Sequence, residues 1–286
     1  MTLVISAVSN KGLYQVSDRR LMNWSGTTTL TDDATKTVRL DLQDGKALVS
    51  YAGIGRVRDL QISEWLKRIL RGQKLKYLEF RNLLAEKATQ KITPLEATLH
   101  EFVIVANVEG KPRFEVISSD RTGNYYNSGS ARNGVFGTFA PPRIRSSVYF
   151  SGSGRDALSR QDKRVAVQAI KRRNLTSQQF EAVLVHLHLT AWKQQRNGSV
   201  SRDCICTHVD SQGGGWSHLH TSNGTSVYNL PSIMGGLPAD DISKAIMKIV
   251  GPELSAAVRE GRTPRSTIAE VQDALKGIEL TPEDSL

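Results

Sequence analysis

Cysteine is almost missing from this chain: two residues, Cys204 and Cys206, stand among 286. A disulfide scaffold is thereby excluded, and a reducing compartment, the cytoplasm, is the expected location. The pair alternates in a strand-like run, so both thiols share a face without the spacing of a zinc site. Long apolar runs are missing too. None approaches the ~18 residues of a membrane-spanning helix, and the start lacks the basic lead of a signal peptide. Repeats and low-complexity tracts are absent. Acidic residues fall short of basic ones, 28 against 38, for a net charge of +10. That balance suits nucleic acid or an acidic partner. The lysines and arginines are scattered, however, with no long block and no nucleic-acid motif. The densest run, Lys171-Arg172-Arg173, falls where a helix should end, and cations there complement the helix dipole. Spread surface charge is the preferred reading. A hydrophobic content of 39% and a charged content of 23% are ordinary for a globular protein. The length suits one large domain, or one domain with an appendage.

What is present concentrates at the start. Thr2 follows Met1 and leads straight into the apolar run Leu3–Val8. Methionine is normally trimmed ahead of a small residue, which would make Thr2 the N-terminus. A terminal threonine carries a hydroxyl nucleophile and, in its α-amine, a base. That amine has an ordinary pKa of roughly 7.7–8.0, within reach of a nearby cation's influence. Ser9-Asn10-Lys11-Gly12 reads as the turn of a hairpin. A two-residue I′ turn would need positive φ at Lys11, so a type I turn with a bulge at Gly12 is expected. That register pairs Ser9 with Leu13 and Thr2 with Arg20. It makes Thr2 and Asp18 diagonal neighbours on one face, roughly 7–8 Å apart. Lys36 heads the strand Thr37–Leu40 in phase with Val38 and Leu40, so it points inward and needs a carboxylate, for which Asp18 is the candidate. Alternatively it snorkels to solvent from the strand end.

Further along, Ala47–Ala52 reads as a strand, Val57–Leu70 as helical, and 76–91 as a second helix ended before Pro94. Phe102–Val108 and Phe114–Ile117 form a hairpin. Residues 119–146 are a Gly-, Ser-, Asn-, Arg- and Pro-rich loop or insertion. Val148–Phe150 leads into Ser151-Gly152-Ser153-Gly154 and a helix over 156–172. The Thr176/Gln179 capping box opens another helix, to about 195. Cys204–Val209 and Trp216–Thr221 make a late hairpin, and helices are expected over 239–250, 252–260 and 267–276, the last opened by Thr267 and Glu270. The division is a domain over 1–234 and a helical C-terminal extension over 235–286. Two sheets with helix pairs outside them would use this order. Among rival sites, His186 and His188 lie about 200° apart on a helix and cannot share a metal. His218 and His220 share a strand face, and His208 could lie opposite them, so a three-histidine metal site is conceivable. Gly152-Ser153-Gly154 could cradle a phosphate but lacks the Walker lysine.

Thr2 opening the first strand, Ser17-Asp18-Arg19-Arg20, Lys36, Tyr51-Ala52-Gly53-Ile54-Gly55 and Gly152-Ser153-Gly154, in that order, resemble the proteasome β-subunits and the HslV peptidase of the N-terminal nucleophile hydrolases. The resemblance covers about 2–210 and implies an α+β fold, a four-layer αββα sandwich. It implies Thr2 as nucleophile and base, Lys36 as the cation that lowers their pKa, Asp18 as the orienter of Lys36, and Ser153 as a hydrogen-bond partner near the terminal amine. The backbone N–H of Ser50 would be the oxyanion donor. Asn197, Ser201 and Asp203 lie where a last accessory residue belongs, and either Asn197 or Asp203 could fill that role. The implied function is a threonine peptidase acting on peptide or unfolded-protein substrates, without metal or cofactor. It would work in a homo-oligomeric ring, with an ATPase unfoldase as a candidate partner. A noncatalytic assembly subunit of the same fold is the first alternative, and a basic nucleic-acid-binding protein the second.

Overall fold

The computed structural model describes residues 2–9, 11–23, 28–57, 60–93, 97, 100–119, 136–139, 147–172, 174–196 and 198–262. The chain opens with β1 (Val4–Ser9) and β2 (Gly12–Asp18), then a short ribbon, β3 (Leu21–Met22) with β4 (Thr29–Thr31). The hairpin β5 (Thr37–Leu42) and β6 (Gly45–Ala52) follows, with a second ribbon, β7 (Arg56–Val57) and β8 (Leu60–Gln61). Helices α1 (Ile62–Leu70) and α2 (Tyr77–Lys91) precede β9 (Glu101–Val108), β10 (Lys111–Ser118), β11 (Gly137–Phe139) and β12 (Ser147–Ser151). A 3-10 turn over Ser153–Ala157 leads to α3 (Arg160–Lys171) and α4 (Ser177–Gln194), the latter opened by the expected Thr176/Gln179 box. The chain continues through β13 (Cys204–Val209), β14 (Gly215–Thr221), β15 (Gly224–Val227), β16 (Ser232–Met234), β17 (Leu237–Pro238) and α5 (Ala239–Glu260). None of the described helices is long and apolar enough to cross a membrane.

The fold is α+β with two main sheets. One runs β12-β1-β2-β13-β14-β15, the other β11-β10-β9-β6-β5-β16-β17, and among the described strands β16 and β5 alone pair in parallel. Strand alternation sends side chains to three apolar clusters. Leu3, Ile5, Tyr14, Val16, Cys204 and Cys206 pack with Ala166, Ile170, Phe180 and Leu184 of α3 and α4. Val38, Leu40, Val49, Tyr51, Phe102 and Ile104 pack with Trp65, Leu66, Phe80 and Leu84 of α1 and α2. Val8, Leu13, Leu48, Val103, Val105 and Val209 meet between the sheets. β1 is apolar on both faces because both are covered. The inter-sheet space has a polar end as well. There Gln15 donates to Ser6 Oγ at 3.2 Å and to the Val103 carbonyl at 3.0 Å, and Ser50 Oγ donates to Gln15 Oε1 at 2.6 Å.

Four sequence expectations are corrected. The hairpin pairs Ser9 with Gly12 and Val4 with Ser17, one residue off the expected register. Lys11 keeps a negative φ, since Glu109 alone among the described non-glycine residues has a positive one. Gly12 is glycine for a different reason than a bulge. A Cβ there would stand 2.3 Å from the Val209 carbonyl oxygen of β13, and its φ is +137°. The first helix begins at Ile62, because the β7–β8 ribbon occupies the residues before it. The stretch from 156 divides into the 3-10 turn and α3, which starts at a Ser159 cap bonded to Asp162. The two expected helices after 239 are one, continuous through Pro252, with Ser255 Oγ donating to the Gly251 carbonyl at 2.8 Å. Ion pairs Lys67–Asp240 at 2.8 Å and Arg71–Asp241 at 3.0 Å tie α5 to α1. Of the 119–146 insertion only residue 119 and residues 136–139 are described, and the expected helix over 267–276 lies outside the described residues.

His100 is buried against Phe102, with ring centroids 4.5 Å apart, and neither ring nitrogen has a hydrogen-bond partner among the described residues. Burial pushes its pKa down from 6.5 to about 3. The folded ring therefore stays neutral where the unfolded ring takes a proton, so stability falls as pH drops from 6.5 towards 3. Over pH 7 to 4 this costs on the order of 3 kcal/mol. In urea titrations at the two pH values, His100→Phe should lose less stability than the wild type by about that amount. An equal loss in both proteins would refute the assignment.

Candidate active site

Thr2 lies just ahead of β1, Asp18 ends β2, and Lys36 lies just ahead of β5. All three are buried, Thr2 at 2% exposure and the other two at 0%. The Lys36 ammonium donates to Thr2 Oγ1 at 2.8 Å, Asp18 Oδ1 at 2.8 Å and the Arg20 carbonyl at 2.6 Å. A lysine ammonium has three donors, and here all three are used. The inward phase of Lys36 is thus its position in the fold, and the snorkelling alternative is excluded. Desolvation pulls the Lys36 pKa below its ordinary 10.5, and the Asp18 charge opposes that pull.

Asp18 reaches the lysine by a different route than the expected register implied. By alternation it belongs to the face of Tyr14 and Val16, turned to the helices, whereas Thr2 belongs to the inter-sheet face with Val4 and Val8. Both residues lie at strand ends, and the Asp18 carboxylate curls around the end of β1. Its Oδ1 accepts the Leu3 N–H at 2.9 Å, and its Oδ2 accepts the Arg20 N–H at 3.0 Å. The Asp18 N–H donates to the Leu3 carbonyl at 3.1 Å. One carboxylate therefore fixes the backbone beside Thr2 and the cation under its hydroxyl. The Arg20 guanidinium bridges Asp32 Oδ1 at 2.6 Å and the Gly198 carbonyl at 2.5 Å, which steadies the carbonyl that the lysine uses.

Gly152-Ser153-Gly154 arrives from β12 against the same threonine. The Gly154 N–H donates to the Thr2 carbonyl at 3.1 Å. A Cβ on Gly152 would stand 2.1 Å from that carbonyl oxygen and 3.3 Å from Ala52 Cβ, so a side chain has no room there. Ser153 itself is exposed at the head of the 3-10 turn. Glu101, which sequence reasoning missed, anchors the segment: it accepts Ser151 Oγ at 2.5 Å, the Gly152 N–H at 3.2 Å and the Tyr149 hydroxyl at 2.9 Å. Its only sequence signal is an acid at the head of an apolar strand.

Ser50 is buried, but its N–H is committed elsewhere. The Tyr51 N–H turns to β5, bonding the Lys36 carbonyl at 3.2 Å, so by alternation the Ser50 N–H turns to β9, where Val103 is opposite. It is not directed at Thr2, and the Ser50 expectation is corrected. By the same alternation the Gly53 N–H, two residues past that of Tyr51, turns to the β5 side, beyond the end of that strand. Among the accessory candidates, Ser201 is buried, accepts the Arg19 N–H at 2.9 Å and donates to the Asp203 carbonyl at 2.7 Å. Asp203 thus enters through its backbone. Asn197 lies outside the described residues. Cys204, directly opposite Asp18 on β13, has its thiol pKa raised by burial and offers no thiolate.

The histidines also separate. His186 is exposed and His188 buried, as their spacing required. His208 shares the sheet face of His218 and His220 but is separated from them by Trp216, which lies opposite it; its ring stacks on Tyr14 at 4.5 Å and bonds the Lys11 carbonyl at 3.1 Å. The three-histidine arrangement does not form.

No family model matches the chain, and no curated protein matches it. Solved structures do. An Anbu (Gly-1) mutant from Hyphomicrobium sp. strain MC1 is similar with a TM-score of 0.55 and 10% identity, over 78% of this chain and 89% of that one. Anbu (ancestral beta-subunit) from Yersinia bercovieri has a TM-score of 0.50 and 10% identity, over 77% and 87%. A further Anbu structure from Hyphomicrobium sp. strain MC1 has a TM-score of 0.50 and 10% identity, over 91% and 96%. At this identity the likeness is one of fold. The resemblance to the proteasome β-subunit and HslV family is corrected accordingly, since no model of that family or any other matches and the neighbours returned are Anbu chains.

Proposed function

We propose that the chain is an N-terminal nucleophile hydrolase of the threonine type, cleaving amide bonds in peptide or unfolded-protein substrates. The observation that carries this reading is the contact of Lys36 with both Thr2 Oγ1 and Asp18 Oδ1, at 2.8 Å each, among buried groups. A buried lysine held by a carboxylate is costly for a scaffold to keep, and aimed at a hydroxyl it has chemical work to do. In this reading the fold is the four-layer αββα sandwich of such hydrolases. Three apolar clusters, two between sheet and helices and one between sheets, support it. Residues 1–234 carry the hydrolase and 235–286 an extension, and a ring of identical chains is the expected assembly.

The reaction begins once whatever precedes Thr2 is removed. The freed amine takes the hydroxyl proton, and Thr2 Oγ1 attacks the substrate carbonyl carbon. The positive charge of Lys36 lowers the cost of the developing alkoxide and keeps the neighbouring amine neutral near its ordinary pKa. The Gly53 N–H takes the oxyanion. The amine returns its proton to the leaving nitrogen, giving an acyl ester on Thr2. Water, activated by the same amine, hydrolyses that ester and restores the hydroxyl. The decisive experiment treats the purified chain with an electrophilic peptide and maps the adduct by mass spectrometry. A single adduct on an N-terminal Thr2 is expected. Retention of Met1, or an adduct at another residue, would overturn the reading.

A further inference from the structure

On the helix-facing side of the first sheet, His218 and His220 of β14 converge on Glu181 of α4. Glu181 Oε1 lies 2.9 Å from His218 Nδ1 and 2.8 Å from His220 Nε2. The three donor atoms lie within 4.8 Å of one another. We infer that Glu181, His218 and His220 form a binding site for a first-row divalent cation of the zinc class.

The donor set is the first reason. Two imidazole nitrogens and one carboxylate oxygen form a set that Zn²⁺ and its neighbours accept, with a solvent molecule completing the shell. Bonds of about 2.0–2.2 Å in a tetrahedral shell place ligand atoms about 3.3–3.6 Å apart, so the two Glu181–imidazole distances must each open by about half an ångström. The second reason is support around the ligands. His220 Nδ1 contacts Thr225 Oγ1 at 3.0 Å, the outer hydrogen bond that fixes a metal-binding imidazole with Nε2 inward. Trp216 stacks on His218 at 4.5 Å with 9° between the ring planes, which holds that ring in place. The third is access. The Glu181 side chain is 8% exposed, but His218 and His220 are at 24% and 19%, so a cation enters from the imidazole side and keeps an open position there. The trio stands apart from Thr2: His220 lies opposite Cys204 and Cys204 opposite Asp18, so two strand spacings, about 10 Å, separate His220 from Asp18, and Thr2 lies beyond it at the head of the next strand. Glu181 was invisible to sequence reasoning because 37 residues separate it from His218.

The test uses the full chain without a purification tag, stripped with a chelator and titrated with Zn²⁺ by calorimetry. One Zn²⁺ should bind per chain. His218→Gln and His220→Gln should each weaken binding at least about 100-fold, and Thr225→Val by about 10–100-fold, while His186→Gln, an exposed histidine outside the trio, should match the wild type. The wild type also gives a readout that needs no variant: Zn²⁺ should protect His218 and His220, but not His186, from diethyl pyrocarbonate, mapped by mass spectrometry. The inference is overturned by the absence of saturable binding to the wild type, by unchanged affinity in both His→Gln variants, or by equal modification with and without Zn²⁺. The first of these outcomes would mean that the trio is a carboxylate hydrogen-bonded to two imidazoles and nothing more.

Discussion

Thr2→Ala should abolish peptide turnover, lowering kcat by at least about 10⁴-fold, while leaving the chain folded. The methyl group that replaces the side chain fills the same place before β1, and the backbone anchors survive: Leu3 N–H on Asp18, Gly154 N–H on the Thr2 carbonyl. What is lost is the atom that attacks, together with one acceptor of the Lys36 ammonium. Thr2→Ser keeps hydroxyl and amine in register and should retain turnover. The comparison therefore isolates the hydroxyl from the fold. A Thr2→Ala protein that hydrolyses peptide at the wild-type rate would place the nucleophile elsewhere.

Lys36→Met should remove activity and stability together. Methionine nearly fills the volume but leaves the Asp18 carboxylate buried with backbone N–H partners only. Breaking a buried pair by deleting one member costs about 3–5 kcal/mol, because the surviving charge has lost its counter-ion. Turnover should fall by at least about 10³-fold, since the developing alkoxide loses its nearest cation. The double variant Lys36→Met/Asp18→Asn separates the two effects. With no stranded charge it should recover much of the lost stability in urea unfolding, yet stay inactive. Recovery of activity along with stability would show that the ion pair serves the fold alone.

The chemistry-bearing residues were more legible in the sequence than the geometry that joins them. Thr2, Asp18 and Lys36 stood out because a small residue behind Met1, an acid at a strand end and an inward lysine are each visible in local patterning. The register between Thr2 and Asp18 was not visible. The turn's own preferences point to a bulge at Gly12, whereas Gly12 answers to the Val209 carbonyl on a strand almost two hundred residues later. Asp18 still arrives, because a side chain at a strand end can bend around it, where one in mid-strand would be bound to its face. Ser50 misled for a related reason. Which way an amide points depends on the strands beside it, and nothing in the local sequence says that β9 is the strand beside β6. Glu101 and Glu181 belong to the same class: each acts on a segment distant in sequence, and alone each reads as an ordinary acid.

The burial of Thr2 carries a consequence about time. Its carbonyl is gripped by Gly154, the next N–H is gripped by Asp18, and only 2% of the residue is open to solvent. An external aminopeptidase must draw the bond ahead of Thr2 into its own cleft, and Thr2, held through its carbonyl and the following N–H, resists being drawn. Trimming by such an enzyme must then win a race against the closing of β1 onto β2 and β12, a race run once per molecule soon after synthesis. Molecules that close first stay blocked unless their own hydroxyl severs the bond. The active fraction of a preparation would in that case record the history of its folding, and two batches of identical sequence could differ in specific activity while agreeing in stability.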